Sequence, residues 1–194
     1  MAVEDIALAL ALPKFVVLVP ADEVSTRALV RLAAQHIGPV YLRTSRPQSP
    51  LIYTDGEEFV IGQAKVIRPG MHVTVMATGM LVWEALEAAS ICKEKGIDVR
   101  VIDIHTIRPL DEETLLQAAR ETGAVVTAEE HLVSCGLGVQ VAQLIAKNCP
   151  VPMEFVGIKD TYAESGKPPE LFERYGLTAR HIVSAIEQVL KKKK

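Results

Sequence analysis

The densest run of chemistry-bearing side chains is Ala128-Glu129-Glu130-His131. Two carboxylates beside an imidazole make an acid/base candidate set, because such groups can pass a proton to or from a bound substrate. No nucleophile or metal-ligand set accompanies them, so the residues favour a plainer role: capping helices and making subunit contacts. Gly136-Leu137-Gly138 follows at the start of a predicted helix, whose free amides can hold an anion. It lacks the third glycine and the acidic residue about 20 positions on that a dinucleotide site carries. Its glycines therefore read as a tight turn with close backbone packing. Leu42-Arg43-Thr44-Ser45-Arg46-Pro47 is more pointed. Arg46, just past a strand end and held before a proline, can present its planar fork to a phosphate or carboxylate. A surface ion pair is the competing reading for such an arginine. His36, His72 and His181 fall on helices or a strand edge and need no function. Cys92, Cys135 and Cys149 are an odd number without C-x-x-C spacing, which fits a reducing compartment and neither a disulfide framework nor a zinc site.

Two alternating periods must position these groups. Phe15 to Val19 is a wholly apolar, β-branched run ended by Pro20, a strand buried on both faces. Ala21 to His36 has helical spacing, and Pro39 to Arg43 is the next strand, giving one right-handed crossover unit of a parallel sheet. Short extended pieces follow around Ile52-Tyr53 and Phe59-Val60-Ile61, with Asp55-Gly56 as a hairpin-type turn signal. Arg68-Pro69-Gly70 marks a boundary. Beyond it the pattern predicts strands at Val73–Met76, Val99–Ile104, Ala124–Thr127 and Pro152–Val156. Helices are predicted over Met80–Lys95, from Asp111 to Gly123, over Gly138–Asn148, after Pro168-Pro169 and after Thr178, with Asp111 and Thr178 as caps. Ala77-Thr78-Gly79, Asp103-Ile104-His105 and Ala128 to His131 then lie at carboxyl ends of parallel strands, where ligands of open sheets gather. The fold class is α/β, an open and mostly parallel sheet with helices on both faces, preceded by an incomplete α/β segment. Its two opening strands need cover that a two-stranded remnant cannot supply, so the start reads as a cut through a larger domain.

The totals set limits. Of 194 residues, 49% are hydrophobic and 23% charged, an ordinary globular balance, and the net charge of -3 gives no basic field for nucleic acid. No apolar run approaches the roughly 20 residues that span a bilayer. Glu4 and Asp5 stand where a signal peptide before Ile6 to Leu12 would need positive charge. A cytoplasmic protein is expected. The Lys191–Lys194 run reads as a solvated, frayed tail.

Val3-Glu4-Asp5-Ile6-Ala7, Pro20-Ala21-Asp22, Ile52-Tyr53 and Ile61-Gly62-Gln63-Ala64 together resemble the closing part of the transketolase pyrimidine-binding domain. Thr44-Ser45-Arg46-Pro47 resembles that family's substrate-phosphate arginine loop. Ala77-Thr78-Gly79, Thr106-Ile107-Arg108-Pro109-Leu110-Asp111, Ala128-Glu129-Glu130-His131 and Ser165-Gly166-Lys167-Pro168 follow the order of its C-terminal domain. The resemblance implies two parts, 1–69 from the end of the pyrimidine-binding domain and 70–194 as the transketolase C-terminal domain. It implies transfer of a two-carbon ketol unit between sugar phosphates by thiamine diphosphate, with magnesium tying the diphosphate to the protein. The family's cofactor and metal residues, its activating glutamate and its substrate histidine-aspartate pair would all lie upstream of Met1. Of the family's substrate-contacting residues only Arg46 is present, as the sugar-phosphate ligand; no catalytic, cofactor or metal residue is assigned here, and the chain alone is expected to be inactive and to bind no cofactor. The implied partners are an N-terminal thiamine-diphosphate-binding part, on the same or a separate chain, and a second copy in a homodimer. Nearby alternatives are the closing portion of a deoxyxylulose-phosphate synthase or of a 2-oxoacid dehydrogenase β subunit, and a non-catalytic dimerisation module. Cys135 stands where relatives usually have glycine.

Overall fold

Where β-branched runs alternate with helical stripes, the computed structural model, which describes residues 2–193, places parallel strands and crossover helices. In the first segment β1 (Val16–Leu18) and β2 (Val40–Leu42) pair in parallel, and α2 (Glu23–Gln35) crosses between them, as expected. Asp22 starts α2 through a reciprocal cap: its carboxylate accepts from the Ser25 amide while Ser25 accepts from the Asp22 amide.

Two elements around this sheet go beyond what the sequence pattern predicts. The apolar opening forms α1 (Asp5–Ala11), which buries Ile6 and Ala9. The small sheet also has a third strand, β6 (Thr106–Arg108), lent by the second region and paired antiparallel with β1. β1 therefore gains a neighbour on both sides, and Val17 and Leu18 are fully buried. The hairpin does not form. Ile52 and Tyr53 give their amides to the Asp22 carboxylate at 2.8 and 2.9 Å instead of to a ladder, so Asp55-Gly56 turns between irregular stretches.

The larger sheet has the order β3-β5-β4-β7-β8. β4 (Val73–Ala77) is central, parallel to β5 (Val99–Asp103) on one side and β7 (Val125–Leu132) on the other. β8 (Met153–Ile158) extends it in parallel, and β3 (Lys65–Arg68) runs antiparallel along β5. Every residue of β4 is buried, which is why its sequence shows little alternation. β3 begins before the expected 69/70 boundary.

Helices α3 (Leu81–Glu94) and α7 (Ala179–Lys192) cover one face. The other face is covered by α4 (Glu112–Thr122) and α5 (Leu137–Asn148). Asp111 caps α4 by accepting from the Thr114 amide, and Gly123 ends it with a φ of 62°, a left-handed position that glycine enters without strain.

α6 (Pro168–Arg174) lies between β8 and α7. Thr178 precedes α7 but does not cap it as expected: its hydroxyl bonds His181 Nδ1, and the Ala179 amide donates instead to Glu84 of α3. The lysine tail is also more ordered than expected. α7 runs to Lys192, which pairs with Glu154, and Lys193 donates to the His72 carbonyl; Lys194 lies outside the described residues. Among the described residues no helix is long and apolar enough to cross a membrane.

Candidate functional site

The carboxyl ends of β4, β5 and β7 are where an open parallel sheet offers a ligand crevice. Here the first segment of the chain covers them. Val19 donates its amide to the His105 carbonyl, and Leu132 donates to the Val3 carbonyl. Gly79, at a φ of 58°, sits so near Val19 that a Cβ would press on its methyl group. Ala7 donates its amide to His131 Nε2 at 3.4 Å.

Each member of Ala128 to His131 has a structural partner. Glu129 is buried and accepts from the amides of Leu137 and Gly138 at 2.7 and 2.8 Å, so the start of α5 holds an anion belonging to the chain itself. Burial pushes its carboxyl up to about 7, and the two amides pull the other way. Gly136 has no room for a side chain, since a Cβ would run into the Glu129 carboxylate and the His131 ring. Gly138 is similarly hemmed in by Phe155 and Thr127. Close packing thus accounts for both glycines. Cys135, by contrast, keeps an ordinary negative φ, so the side chain there strains no backbone. His131 is buried, and burial lowers its pKa. With Nε2 accepting from Ala7 and Nδ1 facing the Leu132 carbonyl, it is a neutral ring fixed in one tautomer.

Glu130 reaches out of this group to Arg43, at the end of β2. Arg43 Nη1 meets Glu130 Oε2 at 3.2 Å, Nη2 meets the Glu130 carbonyl at 3.1 Å, and Nε meets Asp5 Oδ2 at 2.9 Å. All three side chains are only 12–14% exposed. Burial alone would favour discharging Arg43, yet the carboxylates of Glu130 and Asp5 outweigh it and hold the guanidinium charged. Arg43, Asp5 and Glu130 line a cavity of about 310 Å³ together with Met80 and the loop residues Thr44 to Pro47. Arg46 lies on that loop, exposed, and among the described residues it makes no ion pair. The competing reading of Arg46 as a surface ion pair therefore has no partner among those residues. A cationic fork in a concave polar cavity can bind an anionic group such as a phosphate.

A second buried polar group joins the two segments. Tyr53 donates to Asp103 Oδ2 at 2.7 Å, Phe59 packs on His105 with ring centroids 5.2 Å apart, and the Lys65 ammonium stands over both Tyr53 and Phe59. Asp103 Oδ1 and His105 Nε2 have no partner among the described residues. The first-segment residues that organise these sites, Asp5, Asp22, Arg43 and Tyr53, escape a reading from spacing because their partners are far along the chain. Only Asp22 carries a local signal, the polar residue three positions on at Ser25.

Comparison with known proteins places this geometry. Residues 62–182 match the model of the family described as transketolase, C-terminal domain. A 6-deoxy-6-sulfo-D-fructose transketolase subunit of Clostridium sp. (strain MSTE9) is 41% identical over 193 residues, covering 100% of this chain and 60% of the relative. An apulose-4-phosphate transketolase subunit of Phocaeicola vulgatus is 38% identical, covering 97% of this chain and 60% of the relative. Mouse (Mus musculus) transketolase-like protein 2 is 41% identical over 99% of this chain and 31% of its own length. A solved structure described as a split gene transketolase, inactive beta4 tetramer, superposes with a TM-score of 0.97 at 44% identity, covering all of this chain and 64% of that one. The chain thus spans less than two thirds of each of these relatives.

Proposed function

The chain belongs to the transketolase family through its C-terminal domain, and from that premise we propose that it is the C-terminal portion of an enzyme moving a two-carbon ketol unit between sugar phosphates. Residues 1–69 would be the end of the pyrimidine-binding domain and 70–194 the C-terminal domain, with β3 reaching across to the larger sheet. Arg46 would bind the substrate phosphate, contributing affinity and orientation more than bond-making. The observation that carries this reading is the Arg46 loop itself: an exposed guanidinium without an ion pair among the described residues, on the rim of a polar cavity that both segments build.

Thiamine diphosphate supplies the carbanion chemistry in enzymes of this type. The described residues do not fit that cofactor and its magnesium by themselves. Among them no group of three His, Cys, Asp or Glu stands together to hold a metal ion, and the amides at the start of α5, which could face an anion, are already taken by Glu129. The groups that hold the cofactor are accordingly assigned to the N-terminal part, on the same or a separate chain. In the intact enzyme the chain's own residues shape the phosphate end of the substrate channel and brace the domain that carries the cofactor. The expected working form is a homodimer of such units, in the cytoplasm.

Two measurements test this. Calorimetric titration of the isolated chain with thiamine diphosphate and magnesium is expected to be flat, and micromolar binding would refute the assignment of those groups elsewhere. In the intact enzyme, Arg46→Ala is expected to raise KM for ribose 5-phosphate by about 10- to 100-fold with little change in kcat, the pattern of a lost uniform binding contact. An unchanged KM would remove Arg46 from the substrate site.

A further inference from the structure

We propose that Glu130, with Asp5, positions the Arg46 loop by holding Arg43, so that the second domain sets where the phosphate-binding guanidinium stands. This rests on the reading of Arg46 given above and adds to it a residue from the other domain.

The loop is clamped at both ends, and among the described residues nothing hydrogen-bonds or ion-pairs with Thr44 to Gln48 between the clamps. On its leading side the Arg43 amide donates to the Leu18 carbonyl at 2.8 Å, fixing the backbone at the end of β2. The Arg43 side chain is then gripped by Asp5 from α1 and Glu130 from β7. On its trailing side Ser49 Oγ donates to the Ala21 carbonyl at 3.0 Å, and Asp22 takes the amides of Ile52 and Tyr53. Arg46 lies between the two clamps, three residues beyond Arg43. The trailing clamp uses only first-segment residues. The leading clamp is completed by Glu130, which lies 87 positions along the chain from Arg43.

Electrostatics and positioning make opposite demands of Glu130, and this gives the idea its test. Among the residues lining the cavity, Arg43 and Arg46 are balanced by Asp5 and Glu130. If Glu130 acted only through its charge, neutralising it would leave the cavity more positive and tighten the hold on a phosphate. Freed from Glu130, Arg43 could also turn toward the phosphate and tighten it further. If Glu130 acts by fixing Arg43 and hence the loop, losing it must weaken phosphate binding, because the planar fork at Arg46 then has to be ordered on binding.

The test uses the intact enzyme with two acceptors, ribose 5-phosphate and the unphosphorylated glycolaldehyde. Glu130→Ala is expected to raise KM for ribose 5-phosphate about tenfold, with kcat changed by less than about twofold and the glycolaldehyde KM unmoved. Glu130→Gln keeps an acceptor oxygen for Arg43 and is expected to recover most of the loss. A ribose 5-phosphate KM that falls or stays the same in Glu130→Ala overturns the proposal. So does an equal rise for both acceptors, which would mark a general loss of structure. Arg46→Ala run alongside separates the two levels. If it raises the ribose 5-phosphate KM while Glu130→Ala does not, only the positioning role fails. If Arg46→Ala has no effect, the phosphate-site reading fails and the positioning role falls with it.

Discussion

Asp103 and His105 stand two residues apart at the end of β5, both without exposed surface, and their titrations oppose each other. Burial pushes the Asp103 carboxyl from 3.8 up to about 7, against the opposing pull of the Tyr53 hydroxyl. The folded protein therefore keeps a proton that the unfolded chain releases across that range. Stability from Asp103 is complete below pH 3.8 and is lost as the pH rises toward 7, by at most roughly 4 kcal/mol. His105 does the reverse. Burial, and after it the charge of Lys65, lowers its pKa from 6.5 to about 4, so the folded protein refuses a proton that the unfolded chain accepts. Stability from His105 is present above pH 6.5 and is lost as the pH falls toward 4, by at most roughly 3 kcal/mol. Side by side, the two slopes nearly cancel. Single substitutions should expose them. Relative to the unaltered chain, Asp103→Asn, which keeps an acceptor for Tyr53, is expected to gain stability steadily from pH 4 to pH 7. His105→Gln is expected to lose stability over the same range. Urea unfolding followed by circular dichroism at pH 4, 5.5 and 7 measures both differences and removes the contribution of every other titrating group. If the two variants run parallel to the unaltered chain, each offset by a constant, this assignment of charge states is wrong.

Other expectations concern the supports of the site. Gly136→Ala should destabilise the chain by roughly 1–3 kcal/mol, because the new methyl meets the buried Glu129 carboxylate and the His131 ring; an unchanged urea midpoint would mean that this turn is slack. At the start of α7, Glu84→Ala should cost about 1 kcal/mol through the unsatisfied Ala179 amide, while Thr178→Ala should cost less than about half of that. Thermal melts that rank the two the other way would show that the threonine is the true cap.

The larger sheet was legible because its strands are short apolar runs and its helices end on recognisable residues. Asp111 and Gly123 bracket α4 as the sequence indicates, and the left-handed φ at Gly123 is the physical reason that signal works. The elements that escaped are those whose existence depends on a distant neighbour. Thr106–Arg108 is a three-residue strand that exists because β1 has an open edge beside it, and Lys65–Arg68 is a short edge strand whose two apolar residues, Val66 and Ile67, are adjacent and show no alternating pattern. α1 has only seven residues and no side-chain cap, so its stability comes from burying Ile6 and Ala9. In the candidate site, Arg46 could be singled out from its place after a strand and before Pro47. The part played by Glu129 was half visible: α5 begins at a glycine that offers no side-chain cap, so its amides needed a carboxylate from elsewhere. The hold of Glu130 on Arg43 left no trace in spacing, since the two residues belong to different sheets.

The central claim, that this chain completes an enzyme moving a two-carbon unit between phosphorylated sugars, is tested most directly by following products. The chain, joined to or mixed with the thiamine-diphosphate-binding part, would be given xylulose 5-phosphate and ribose 5-phosphate. A seven-carbon ketose phosphate and a three-carbon aldose phosphate are expected in equal amounts, and neither part alone should form them. Turnover by the isolated chain, or a reconstituted enzyme that consumes pyruvate and glyceraldehyde 3-phosphate while leaving the pentose phosphates untouched, would contradict the account.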